Sequence, residues 1–119
     1  RSWKLPVQER RLHLLAHHRI AIHRQCYNAR GIAMEAIETA KEGNFKEARQ
    51  QIQEARDEMN NSHNYQTELI TSEANGEKNE ITVLLVHSQD HLMTGMVVID
   101  MAEQFIDVYE KMAELKEKA

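Results

Sequence analysis

An all-α fold of three long antiparallel helices is what this sequence predicts, and three observations carry that reading. Breakers are scarce: the 119 residues include four Gly and one Pro among many Ala, Glu, Lys, Gln and Met, a composition that favours helix. Apolar residues recur at steps of three and four over long stretches, which is the spacing of one helix face. Two short glycine-centred breaks, Glu42-Gly43-Asn44 and Ala74 to Asn79 around Gly76, divide the chain into three.

The first helix comes after an extended start at Pro6. From Leu12 its seam runs through Leu15, Ile22, Cys26, Ala29, Ala33, Ala36 and Ala40, with Arg19 as the misfit, roughly eight turns ending near residue 41. Gly43 supplies the left-handed residue that closes it, and Asn44 is suited to cap the second helix. That second helix, about 45–73, places Phe45, Ala48, Ile52, Ala55 and Met59 on its stripe, then His63 and Gln66, then Leu69 and Ile70. Buried polar groups there need partners, so a hydrogen-bonded layer is expected. The third helix, about 80–116, has an expected inner face of Ile81, Leu84, Leu85, Ser88, His91, Leu92, Gly95, Val98, Met101, Phe105, Val108, Tyr109, Met112 and Leu115. Short connections make neighbouring helices antiparallel. One thin core cannot receive both this seam and a polar His/Asp face, so self-association is expected.

The bulk numbers narrow the function. The net charge is −4, unevenly spread: residues 1–30 hold seven Lys/Arg and one acid, Glu9, while the remainder holds eight Lys/Arg and eighteen acids. An acidic body argues against a nucleic-acid partner, because phosphate backbones need basic faces, and suits a basic protein partner. The single cysteine, Cys26, allows no internal disulfide. No apolar run is long enough to span a bilayer and no secretory leader is visible, so a cytoplasmic protein is the default expectation.

The chemistry concentrates in Val83 to Thr94, an apolar run that suddenly carries His87, Asp90 and His91. On a helix these fall at i, i+3 and i+4, which the spacing rule assigns to one face. A lone seam histidine is more often structural, but here a carboxylate and a second imidazole accompany it. A neutral imidazole is a competent nucleophile near neutral pH. It can attack a phosphoryl group in line, provided the protein positions it and stabilises the equatorial oxygens. Gln89, His91 or His63 could orient the ring of His87 or donate to the phosphoryl oxygens. His87 and His91 also have the i, i+4 spacing of zinc ligands, a weak signal because the metalloprotease glutamate is absent; an opportunistic zinc ion there would inhibit phosphotransfer. Cys26 and the methionines read as packing residues.

His87-Ser88-Gln89-Asp90-His91-Leu92-Met93-Thr94 resembles the signature of the lactose/cellobiose-type enzyme IIA of the bacterial sugar phosphotransferase system. The likeness extends to Asn28-Ala29-Arg30, to Lys41-Glu42-Gly43-Asn44-Phe45, to Ser62 through Ile70 and to Glu73-Ala74-Asn75-Gly76-Glu77, so that residues 28–119 resemble the family in order and spacing. It implies a homotrimer of three-helix subunits. It implies a phosphocarrier that takes a phosphoryl group from HPr and hands it to a cysteine of enzyme IIB during import of a β-linked disaccharide, meeting the membrane only through the sugar permease. The phosphorylated histidine falls on His87. The aspartate that binds a divalent ion with its symmetry mates falls on Asp90, with Mg2+, one per trimer on the axis, as the expected ion.

Residues 1–27 depart from that pattern. They read as a basic His/Arg-rich start of helix 1, with His13, His17, His18, His23 and four closely placed arginines. One reading is a divergent first helix. The other is a segment translated from a shifted frame or altered at the gene level, favoured by the abrupt loss of likeness before Asn28; on that reading these histidines have no function. Two further classes compete with the phosphocarrier. A helical adaptor of tetratricopeptide type needs about three stacked repeats, and the hairpin around Gly43 has no second copy. A carboxylate-bridged metal enzyme needs Glu-x-x-His motifs on facing helices, which the sequence lacks.

Overall fold

The computed structural model describes the backbone from Pro6 onward and the side chains of Pro6 and of residues 23–119. Three helices succeed one another: α1 (Val7–Lys41), α2 (Phe45–Ala74) and α3 (Val83–Lys118). Helix α1 packs along both of the others, which meet each other over a smaller area. Leu12, Leu15, Arg19 and Ile22, together with His13, His17 and His18, lie outside the described side chains. The helix itself runs unbroken through the point at which the family likeness stops.

Both breaks close in the same way. Gly43 and Gly76 have φ of 87° and 89°, the left-handed region that costs a glycine little. The amide of Gly43 donates to the Ala40 carbonyl and that of Asn44 to the Thr39 carbonyl; Gly76 donates to Glu73 and Glu77 to Ser72. These are Schellman closures, which satisfy carbonyls that a helix end leaves without partners. Asn44 does not cap α2 with its side chain; only its carbonyl enters the helix, accepting from Ala48. Helix α3 starts three residues later than the sequence predicts, because the Thr82 hydroxyl accepts from the Leu85 amide and so fixes the first turn.

The core is a close approach of small side chains. Ala29, Ala33, Ala36 and Ala40 of α1 are fully buried, as are Ala48 and Ala55 of α2 and Ala102 of α3. Into that narrow space α3 inserts Leu92, Ile99 and Ile106, each worth about 1.5–3 kcal/mol of transfer from water. Gly95 is buried where α3 meets both other helices: a Cβ there would lie 2.6 Å from the Met59 terminal methyl.

Two predicted seams shift. On α2 the buried stripe continues from Met59 to Ser62 and Tyr65, while His63 and Ile70 are exposed. On α3 the buried stripe is Leu85, Ser88, Leu92, Gly95, Ile99, Ala102 and Ile106. Ile81, Met101, Phe105, Val108, Met112 and Leu115, expected inside, are exposed. The reason is that α3 carries two apolar stripes. The second, Val83, Val86, Met93, Val97, Met101, Val108 and Met112, faces out of the subunit at steps of three, four and their sums, the spacing of a coiled-coil seam.

The expected polar layer exists; it keeps Gln66 and has Ser62 in place of His63. The buried Ser62 hydroxyl donates to Gln25 Oε1 at 3.2 Å, and Gln66 Nε2 donates to Gln89 Oε1 at 2.9 Å. Outside it, Arg49 bridges Asp107 and Glu110, and Arg56 bridges Asp100 and Glu103. These pairs fix the antiparallel register of α2 against α3. Being largely exposed, each contributes about 0.2–1 kcal/mol.

Candidate phosphoryl-transfer site

The site lies in the first three turns of α3, where that helix passes the middle of α1. His87 is exposed and His91 half-buried, with ring centroids 4.5 Å apart and the rings crossing at 75°. A third imidazole joins them from α1. His23 stacks on His87 with centroids 4.9 Å apart and meets His91 edge-on at 4.3 Å. Burial holds the His91 ring below the usual histidine range, and the neighbouring His23, His87 and Arg30 push it further down against a small opposing effect of Asp90. Its imidazole is therefore the neutral form at neutral pH.

Not every expected member of the site joins the cluster. Asp90 lies outside the imidazole cluster. One residue turns an α-helix by about 100°, so His91 turns in toward His23 while Asp90 stands exposed among Val86, Met93 and Val97 on the outer stripe. The i, i+3, i+4 rule groups residues over a broad arc, and here a helix boundary divides that arc. Gln89 turns the other way, toward α2, where Gln66 holds its carbonyl oxygen and its Nε2 is buried without a partner among the described residues. His63 lines a different cavity, of about 170 Å³, with Arg56, Met59, Asn60, Met96, Ile99 and Asp100. The structure brings His87 and His91 together and adds His23, which was not predicted as a site residue; Gln66 holds Gln89 on the side toward α2. His23 had no signal beyond its type, because pairing across α1 and α3 is not written in either helix alone.

Close by, Cys26 is fully buried. Burial pushes its thiol up, partly offset by a hydrogen bond with Ser62, so it is the protonated, unreactive form at neutral pH. Among the described residues, no helix is long and apolar enough to cross a membrane.

Residues 25–110 match the sequence profile of the family described as "PTS system, Lactose/Cellobiose specific IIA subunit". The chain belongs to that family. Among its relatives, the lichenan-specific phosphotransferase enzyme IIA component of Bacillus subtilis (strain 168) is 55% identical over 87 residues, 73% of this chain and 79% of the relative. The N,N'-diacetylchitobiose-specific EIIA component of Escherichia coli (strain K12) is 37% identical over 84 residues, 71% of this chain and 72% of the relative. The crystal structure of the cellobiose-specific enzyme IIA from Bacillus anthracis superposes with a TM-score of 0.75 at 46% identity, covering 81% of this chain and 88% of that one. The chitobiose IIA of E. coli, solved in complex with HPr, gives 0.73 at 31% identity, with 83% and 96% covered. The match to the family profile begins at residue 25, just past His23.

Proposed function

We propose that this IIA subunit is a cytoplasmic phosphohistidine carrier with His87 as the acceptor. The observation that supports the assignment most is geometric. His87 is the exposed ring of the pair, accessible to an incoming protein, while His91 is half-buried behind it. In the forward step an imidazole nitrogen of His87 attacks phosphorus on phosphorylated HPr. The N–P bond to the donor's histidine breaks, and the donor leaves as neutral imidazole. In the return step the thiolate of a cysteine on enzyme IIB attacks the same phosphorus and His87 is released. The E. coli relative solved with HPr supports the choice of donor; relatives named for lichenan, cellobiose and chitobiose support a β-linked disaccharide as the sugar served. Neutral His91 is placed to hold the His87 ring or to meet the phosphoryl oxygens. Gln89 is held by Gln66 and His63 lines a separate cavity, so within the subunit His91 is the supporting residue of this reading.

The assembly in this reading is a homotrimer. The outer stripe of α3, too apolar to face water over its full length, is the surface that three copies would share. Asp90 interrupts that stripe. Three copies meeting at an axis would repel, and a hard divalent ion with oxygen ligands, Mg2+ with waters, fits a carboxylate donor set and would neutralise them. Its contribution is assembly, and no step of the transfer runs through it.

The test is direct. Incubated with HPr, enzyme I and labelled phosphoenolpyruvate, the chain is expected to take acid-labile, alkali-stable label, and His87→Ala to take none. Label retained by that variant would place the acceptor elsewhere.

A further inference from the structure

A histidine ring nitrogen normally takes a hydrogen-bond partner or turns to water. Nε2 of His23 does neither: it is buried and, among the described residues, has no hydrogen-bond partner. Leaving a polar atom in that state is costly and calls for an explanation. The atoms around it supply one. His23, His87 and His91 each offer a ring nitrogen, and the three nitrogens lie within 4.8 Å of one another. Two helices contribute them, α1 one and α3 two, so the cluster is set by tertiary packing and reinforced by the i, i+4 spacing on α3. His87 leaves the outer side of the cluster open to solvent.

We propose that His23, His87 and His91 form a three-imidazole site for a borderline divalent transition-metal ion, with Zn2+ as the best fit and water as the fourth ligand. Imidazole nitrogen suits zinc, copper and nickel, whereas magnesium and calcium select oxygen. This separates the site from the carboxylate of Asp90. Zinc–nitrogen bonds of about 2.0–2.1 Å place tetrahedral ligand atoms roughly 3.4 Å apart. The ring centroids lie 4.3–4.9 Å apart, so taking up the ion requires the rings to turn their nitrogens to one point and to spread slightly. Among the described residues, the Arg30 guanidinium opposes the ion, since it acts on His91. It stands over the Tyr27 ring at 5.2 Å and adds one positive charge near the rings. The second consequence rests on His87 being the phosphoryl acceptor. An ion at this site occupies a lone pair of the ring that must attack phosphorus, so metal and phosphoryl group exclude each other. A chain with His23 then carries a metal-sensitive brake that α3 alone would provide only weakly.

The experiment uses the full chain, freed of metal by chelation and titrated with Zn2+ and, as a spectroscopic probe, Co2+. One ion per chain is expected at the rings, with Co2+ giving visible bands of a four-coordinate site and broadening the ring protons of His23, His87 and His91 but not of His63. His23→Val is expected to weaken Zn2+ binding by at least roughly tenfold with unchanged helical circular dichroism; His23→Gln serves if the valine variant misfolds. Binding in these variants as tight as in the parent, or cobalt broadening confined to other residues, overturns the site. Labelling from phosphorylated HPr then separates the two readings. Zn2+ is expected to slow labelling of the parent and to leave His23→Val unaffected at the same concentration. A parent that binds zinc at the three rings but takes no label overturns the carrier reading and supports the metal site. A parent that takes label and binds no zinc does the reverse.

Discussion

The two stripes of α3 have nearly the same hydropathy and opposite fates. The inner one, Leu85 through Ile106, is at most 8% exposed, while the outer one, from Val83 to Met112, is 50–88% exposed at its large apolar positions. Composition does not separate them; partners do. The inner stripe alternates large residues with Ser88, Gly95 and Ala102, and the small ones admit the alanine seam of α1. The outer stripe is bulky throughout and carries one charge, Asp90. It has the size and spacing to meet copies of itself rather than a close-packed alanine helix. One helix is thus asked to complete a subunit on one side and, in the trimeric reading, an assembly on the other.

Substitutions that treat the stripes alike would break this comparison. The largest effect is expected inside. Ile99→Ala removes a fully buried side chain between two helices and should destabilise the subunit by about 2–5 kcal/mol, read from the shift in the urea midpoint. On the outside, Val97→Asp should leave helical circular dichroism nearly unchanged and dissociate the assembly, as sedimentation would register. If instead it unfolds the subunit as Ile99→Ala does, the stripes are not distinct. The smallest effect sharpens the comparison. Asp90→Leu removes the one charge from the outer seam, and the assembly should hold as well or better, by about 1–4 kcal/mol for replacing clustered buried charge with apolar side chains. Its dependence on Mg2+ should vanish, checked by thermal melts with and without chelator. A variant that still gains stability from the ion would remove Asp90 from its role.

Much of the fold was legible beforehand, for local reasons. Gly43 and Gly76 mark the turns because a positive φ is a property of one residue, and the helix spans between them agree within a few residues. The alanine seam of α1 could be read for the same reason, since nothing else on that helix repeats so regularly. The α3 seam was misread from Met101 onward because two stripes of equal apolarity offer the 3.6 period no preference. His63 was assigned to the α2 stripe, and Ser62 and Tyr65 were missed, because one residue of phase is only about 100° of rotation.

The candidate site divides in the same way. His87 and His91 were identified from spacing along one helix, and their ring contact is a consequence of it. Asp90 was expected on one face with both histidines; about 100° of helix separates it from His91, and it stands exposed on the outer stripe. His23 was visible as a histidine in an unusual segment and became a neighbour of both rings only when α1 packed across α3.

By itself, then, the sequence determined three helices, their glycine closures and the residue types able to carry phosphorus, because each depends on backbone preferences and spacings within about one turn of chain. Tertiary structure alone decided which stripe of α3 is core, which way Asp90 and Gln89 face, and that a third imidazole stands against His87 and His91. Those depend on how far one helix rotates and slides on another, and that is set by side-chain volumes on both partners together.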